Sequence, residues 1–127
     1  MSKEHLFLGA KGEEAALRFL KGNGYKILRH NYKTRLGEID IIARDQDTLV
    51  FIEVKTRRSE RFGLPAEAVR KDKQRQISKA ALLFIKENNL FDEKARFDVV
   101  SVLYTGEGAA KVDLIKNAFE LDGCFTY

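Results

Sequence analysis

Asp40, Glu53 and Lys55 stand in one stretch of the chain with apolar neighbours, Leu36–Arg57, LGEIDIIARDQDTLVFIEVKTR. Two strand-like runs occupy it, Gly37–Ala43 and Leu49–Lys55, joined by the polar turn Arg44–Thr48. Side chains alternate faces along a strand, so Glu38, Asp40 and Ile42 share one face of the first run, opposite Ile39, Ile41 and Ala43. In the second run Leu49, Phe51, Glu53 and Lys55 share a face. A hairpin pairing the two would bring Asp40, Glu53 and Lys55 to one side of a sheet. Charged groups in such apolar surroundings must be paired, bound to metal, or carried to a strand end that meets water. Two carboxylates repel one another unless a cation lies between them. Mg²⁺ suits that place, because it takes a few carboxylate oxygens and keeps several waters and a substrate phosphate. Lys55 could then orient or deprotonate an attacking water, or offset charge on the phosphate. E-x-K by itself describes a structural ion pair equally well. The aspartate on a neighbouring apolar strand is what favours the catalytic reading.

The arrangement resembles the PD-(D/E)xK nuclease signature, with Asp40 as the first acid and Glu53-Val54-Lys55 as the (D/E)xK. Ile39 stands where that signature customarily has proline. More closely, the chain resembles the YraN-like family of small bacterial proteins. The matching pieces are Gly12-Glu13, Gly24-Tyr25, Asn31, GEIDIIARD, LVFIEVKTR, Pro65, Ala68-Val69, Lys73 and RFDVV, running from Gly12 to Phe119. The resemblance implies the fold of Holliday-junction resolvases, a restriction-endonuclease-like core. It also implies a nuclease-like site in which Asp40, Glu53 and the Val54 carbonyl hold Mg²⁺ or Mn²⁺. Lys55 would position the water, and Glu13, with Glu38, would support a metal or water without binding the metal directly. At Lys73 the resemblance favours contact with a carboxylate or phosphate over a stem that reaches out to solvent.

The elements that must position these groups follow from periodicity. The spacing predicts a helix over Leu6–Gly22, with Gly9, Gly12, Ala16, Phe19 and Leu20 on one face and Glu13 on its flank. Gly22-Asn23-Gly24 supplies its stop. Tyr25–Leu28 reads as a short strand, followed by Arg29–Arg35, a basic connection or a continuation of the strand. His30 has only His5 as a second histidine, so a histidine metal pair is not expected, and phosphate contact or plain exposure is. Tyr32 suits either stacking on a base or packing on a strand. After the central hairpin, Thr56–Leu64 forms a basic loop whose Arg57, Arg58 and Arg61 match phosphate oxygens. Pro65 is expected at the first turn of a long helix, Pro65–Asn88. Arg96–Leu103 alternates as a strand, with Asp98 structural, capping or pairing with a nearby lysine, and not a metal ligand; Lys111–Ile115 reads as a fifth strand. The expected architecture is α/β, a central mixed sheet flanked by helices in the order αβββαββ.

Composition narrows the class. At 127 residues, 44% hydrophobic and 33% charged, the chain is expected to form a single domain, residues 1–127. No apolar run approaches the roughly 18 residues that span a bilayer, and the first residues do not read as a signal peptide. Cys124 is the only cysteine, which agrees with a reducing cytoplasm. The net charge of +4 is unevenly spread: Lys26–Arg35 has four Lys/Arg and no acid, and Lys55–Arg75 has eight against three acids. Basic stretches beside an acidic cluster suit a protein that grips phosphates next to a metal. The expected function is therefore a metal-dependent phosphodiesterase acting on DNA, branched or single-stranded forms included. The alternative is a nucleic-acid-binding module that keeps the nuclease fold without cutting. A homodimer is suggested by analogy with resolvases alone.

Overall fold

The computed structural model describes residues 3–58, 70–104 and 110–119. Arg61, Pro65 and Cys124 lie outside them, as does all of the basic loop after Arg58. Seven elements follow in the order α1 (Lys3–Gly22), β1 (Lys26–Thr34), β2 (Gly37–Asp45), β3 (Thr48–Arg57), α2 (Lys71–Glu87), β4 (Lys94–Tyr104) and β5 (Ala110–Phe119). The protein is α/β, with one five-stranded mixed sheet in the order β1-β2-β3-β4-β5. Only β3 and β4 run parallel. Parallel neighbours need a long crossover, and α2 lies within it. The arrangement is consistent with a nuclease-like core.

Among the described residues, each face of the sheet carries one helix. Ile39, Ile42, Leu49, Phe51, Phe97 and Val99 pack against Ile77, Ala80, Ala81, Phe84 and Ile85 of α2. Ile41, Ala43, Val50, Ile52, Val100 and Val102 pack against Ala16 and Leu20 of α1. The α2 side is aromatic: Phe84 meets Tyr32 and Phe51 edge-on at 5.4 and 6.1 Å, and Phe97 stacks on Phe119 at 4.8 Å. Tyr32 therefore packs in the core rather than offering a ring to a base.

Several boundaries differ from the sequence expectation. The helix α1 begins at Lys3 rather than Leu6. The strand β1 starts at Lys26 rather than Tyr25 and runs on to Thr34, the continuation reading of Arg29–Arg35, with a bulge between Ile27 and Arg29. The long helix does not run through from Pro65, because Arg70 is extended (φ −71°, ψ 158°) and α2 starts at Lys71. Asp98 pairs with Arg96, not with a lysine.

The β1–β2 hairpin has a coordinated kink that simple alternation misses. Ile39 lies on the α2 side, whereas strict alternation puts it with Ile41 and Ala43 on the α1 side. The register brings His30 opposite Ile41 and Tyr32 opposite Ile39, which leaves Asn31 opposite Asp40. Asn31 has φ 55°, a left-handed conformation that asparagine tolerates better than most side chains. Both strands change face at this one step.

Glycine seats α1 on the sheet. A Cβ at Gly12 would overlap the Thr56 side chain, so any side chain there forces Thr56 or the helix to shift. Gly12→Ala is expected to destabilise the fold by about 1–3 kcal/mol. Gly9→Ala, whose methyl would meet nothing within 4 Å, should be neutral or gain the roughly 1 kcal/mol by which alanine exceeds glycine in helices. Urea unfolding of both variants beside the parent checks the contrast.

Candidate active site

Strands β2 and β3 pair from Asp45 and Thr48 as far as Ile41 and Ile52, where their ladder ends. Beyond that point the Asp40 carboxylate enters the fork, and its Oδ2 accepts the Val54 N–H at 2.8 Å. A side chain thus takes the donor that a main-chain carbonyl would otherwise satisfy. Half-buried Asp40 is held there with both helices in electrostatic reach: Glu13 from α1 and Lys73 from α2. Burial pushes its carboxyl above the ordinary carboxylate range, the Val54 N–H opposes that shift, and the negative charge of Glu13 adds to it.

Glu53 lies next along the fork and is 6% exposed. Its Oε1 is 3.9 Å from Lys55 Nζ and 4.0 Å from Lys73 Nζ. Its Oε2 is buried with no hydrogen-bond partner among the described residues. Burial, then the neighbouring Asp40 charge, pushes the Glu53 carboxyl up to about 8, and the two lysines pull the other way. When one acid keeps its proton it can hydrogen-bond the other. Two acids forced together share a proton for the reason that like charges at one buried place resist joint ionisation.

Five of the residues singled out in the sequence come together here: Asp40, Glu53, Val54, Lys55 and Lys73. Glu13 approaches from α1, its Oε2 3.2 Å from His30 Nε2. Glu38 faces Lys33 across the β1–β2 ladder, and no hydrogen bond or ion pair among the described residues joins it to the two acids. Arg57 ends β3 and Arg58 follows it at the same end of the sheet, each already engaged by neighbouring groups. Arg61 is outside the described residues. His30 carried no legible signal, since its partner is 17 residues away on another element.

The donor set suits a small hard cation. Among the described residues no group of three or more His, Cys, Asp and Glu is spaced to hold a metal ion. A cation here would rest on two carboxylates, the Val54 carbonyl and water, the oxygen-rich and partly hydrated set that Mg²⁺ and Mn²⁺ accept. The partnerless Glu53 Oε2 is the atom that such an ion would satisfy.

A second ionic cluster closes the opposite end of the sheet. Fully buried Asp98 accepts hydrogen bonds from Arg96 Nε (3.0 Å), the Asn117 N–H (2.9 Å) and the Tyr25 hydroxyl (3.2 Å). Arg96 also donates to Asp45 at 2.7 Å. Burial and then the Asp98 charge push the Tyr25 hydroxyl up to about 12. Every strong acceptor in this cluster has a donor, so its role is structural.

The family model described as "Uncharacterised protein family UPF0102" matches residues 12–102. The chain belongs to the UPF0102, or YraN-like, family. A UPF0102 protein of Syntrophus aciditrophicus is 52% identical over 118 residues, covering 93% of this chain and 92% of that protein. Another, from Geobacter metallireducens, is 50% identical over 121 residues, covering 95% and 98%. The UPF0102 match begins at Gly12, the residue that seats α1, and takes in Glu13, Asp40, Glu53, Lys55 and Lys73.

The acid pair yields a pH-dependent stability. The folded chain keeps a proton on Glu53 from its ordinary value of 4.5 up to about 8, while the unfolded chain releases it. Metal-free stability should therefore fall as pH rises through that window and level off above it. Glu53→Gln should remove most of the fall and exceed the parent above pH ~8 by on the order of a few kcal/mol. Thermal melts in EDTA across the window measure both.

Proposed function

We propose that this protein is a Mg²⁺- or Mn²⁺-dependent phosphodiesterase acting on DNA, with branched and single-stranded forms among its substrates. The observation that carries this is the buried Oε2 of Glu53, without a hydrogen-bond partner among the described residues, beside the Asp40 carboxylate, with two ammonium groups flanking the other oxygen. A divalent ion taken by Asp40, Glu53 and the Val54 carbonyl would polarise a phosphoryl oxygen and acidify a bound water. The remaining tasks fall to side chains. Lys55, from the same strand and face as Glu53, orients the attacking water. Lys73 reaches the same carboxylate from α2 and offsets charge on the phosphate. Arg57 and Arg58, with Arg61 beyond the described residues, contact the backbone of the strand. Glu13 supports the water from the α1 side.

No helix among the described residues is long and apolar enough to cross a membrane, and a cytoplasmic location goes with DNA as the substrate. A twofold dimer would offer two such sites to two strands, by analogy with resolvases. The short donor set, two acids rather than three, favours a second reading: a nucleic-acid-binding module that no longer cuts.

A cleavage panel of single-stranded, duplex, flap and four-way DNA, with and without Mn²⁺, separates the two. Asp40→Asn and Lys55→Ala should each lower Mn²⁺-dependent cleavage by at least ~100-fold while leaving salt-sensitive binding in place. Undiminished cleavage by Lys55→Ala removes that residue from the chemistry. Binding without cleavage on every substrate selects the non-cutting module.

A further inference from the structure

We propose, building on the function above, that His30 is a positioning residue that holds the Glu13 carboxylate at the edge of the Asp40–Glu53 site. Three features converge on this contact. The close approach of Gly12 to Thr56 fixes where Glu13 emerges from α1. The left-handed Asn31 and the face change opposite Asp40 turn His30 to the α1 side, where its register partner Ile41 lies, while Tyr32 goes to the α2 side. His30 Nε2 then meets Glu13 Oε2 at 3.2 Å. With its proton on Nε2 the ring donates to the carboxylate, and Glu13 makes no other hydrogen bond or ion pair among the described residues.

The contact matters because both of its residues adjoin the site: Asn31, next to His30, lies opposite Asp40, and Gly12, next to Glu13, closes on Thr56, next to Lys55. A third negative charge beside two acids can help a hydrated cation only if its position is controlled. Held by His30, Glu13 keeps Oε1 for a water on the cation and stays out of direct coordination. Partners of this outer kind commonly alter metal affinity by 10–100-fold when removed. The His30 side chain is 43% exposed, so its replacement should spare the fold.

Calorimetric titration of the metal-free protein with MnCl₂ tests this without any turnover. His30→Ala and Glu13→Gln are each expected to weaken Mn²⁺ binding by about 10-fold. His30→Gln, which retains a side-chain N–H donor, should recover affinity to within about threefold of the parent. The double variant His30→Ala with Glu13→Gln should bind no more weakly than Glu13→Gln alone, because the histidine acts only through the glutamate. Parent-like affinity in His30→Ala, no recovery with glutamine, or additive losses in the double variant overturns the positioning role. Parent protein whose Mn²⁺ affinity is absent, or unchanged by Asp40→Asn, overturns the proposed metal site and the role of His30 with it.

Discussion

One hydrogen bond organises the site end of the molecule: the Val54 N–H donated to the Asp40 carboxylate. Where β2 and β3 stop exchanging main-chain bonds, the exposed donors of β3 need acceptors, and an unsatisfied buried N–H is costly. Asp40 supplies one acceptor and in doing so is fixed beside Glu53. The price is a pair of carboxylates in a poorly hydrated fork, which drives both carboxyls above their usual range. Lys55 and Lys73 relieve the charge only in part, from about 4 Å. Such tension, left unrelieved by the protein itself, is what distinguishes this cluster from an ordinary ion pair.

The opposite end of the sheet shows what relief looks like. Asp98 is more deeply buried than either acid of the fork, yet it accepts from a guanidinium, a phenol and a main-chain N–H. Both ends use a related device: an aspartate takes an N–H, and an asparagine in the left-handed region, Asn31 or Asn117, lies on the adjoining strand. At Asp98 the acceptors are matched by donors and the sheet is locked. At the fork the Glu53 Oε2 has no such donor among the described residues.

Two faces covered by two helices let groups from separated parts of the chain reach one fork. Lys73 arrives from α2 and Glu13 from α1, from opposite sides of the sheet. The face change at Asn31 and Asp40 is what opens the hairpin to both. Gly12 against Thr56 and Gly37 against the Gln76 carbonyl, where an added Cβ would lie 2.5 Å away, mark where each helix is drawn closest to the strands.

Sequence alone determined the element order, the sheet's apolar faces beyond the kink, and the meeting of Asp40, Glu53 and Lys55, because strand periodicity and local spacing are properties of the chain itself. It also placed Lys73 on the inner stripe of α2. Tertiary structure decided the rest. Ile39 changed sides because an asparagine backbone angle on the neighbouring strand, not its own spacing, sets that step. Arg70 left the helix although its spacing continued the helical pattern. His30 found Glu13 only once a helix had been seated on the sheet through Gly12, and Asp98 chose Arg96 through a fold that also brought Tyr25 and Asp45 within reach. Periodicity reports which way a side chain points; its partner depends on which other element arrives there, and that is settled by packing.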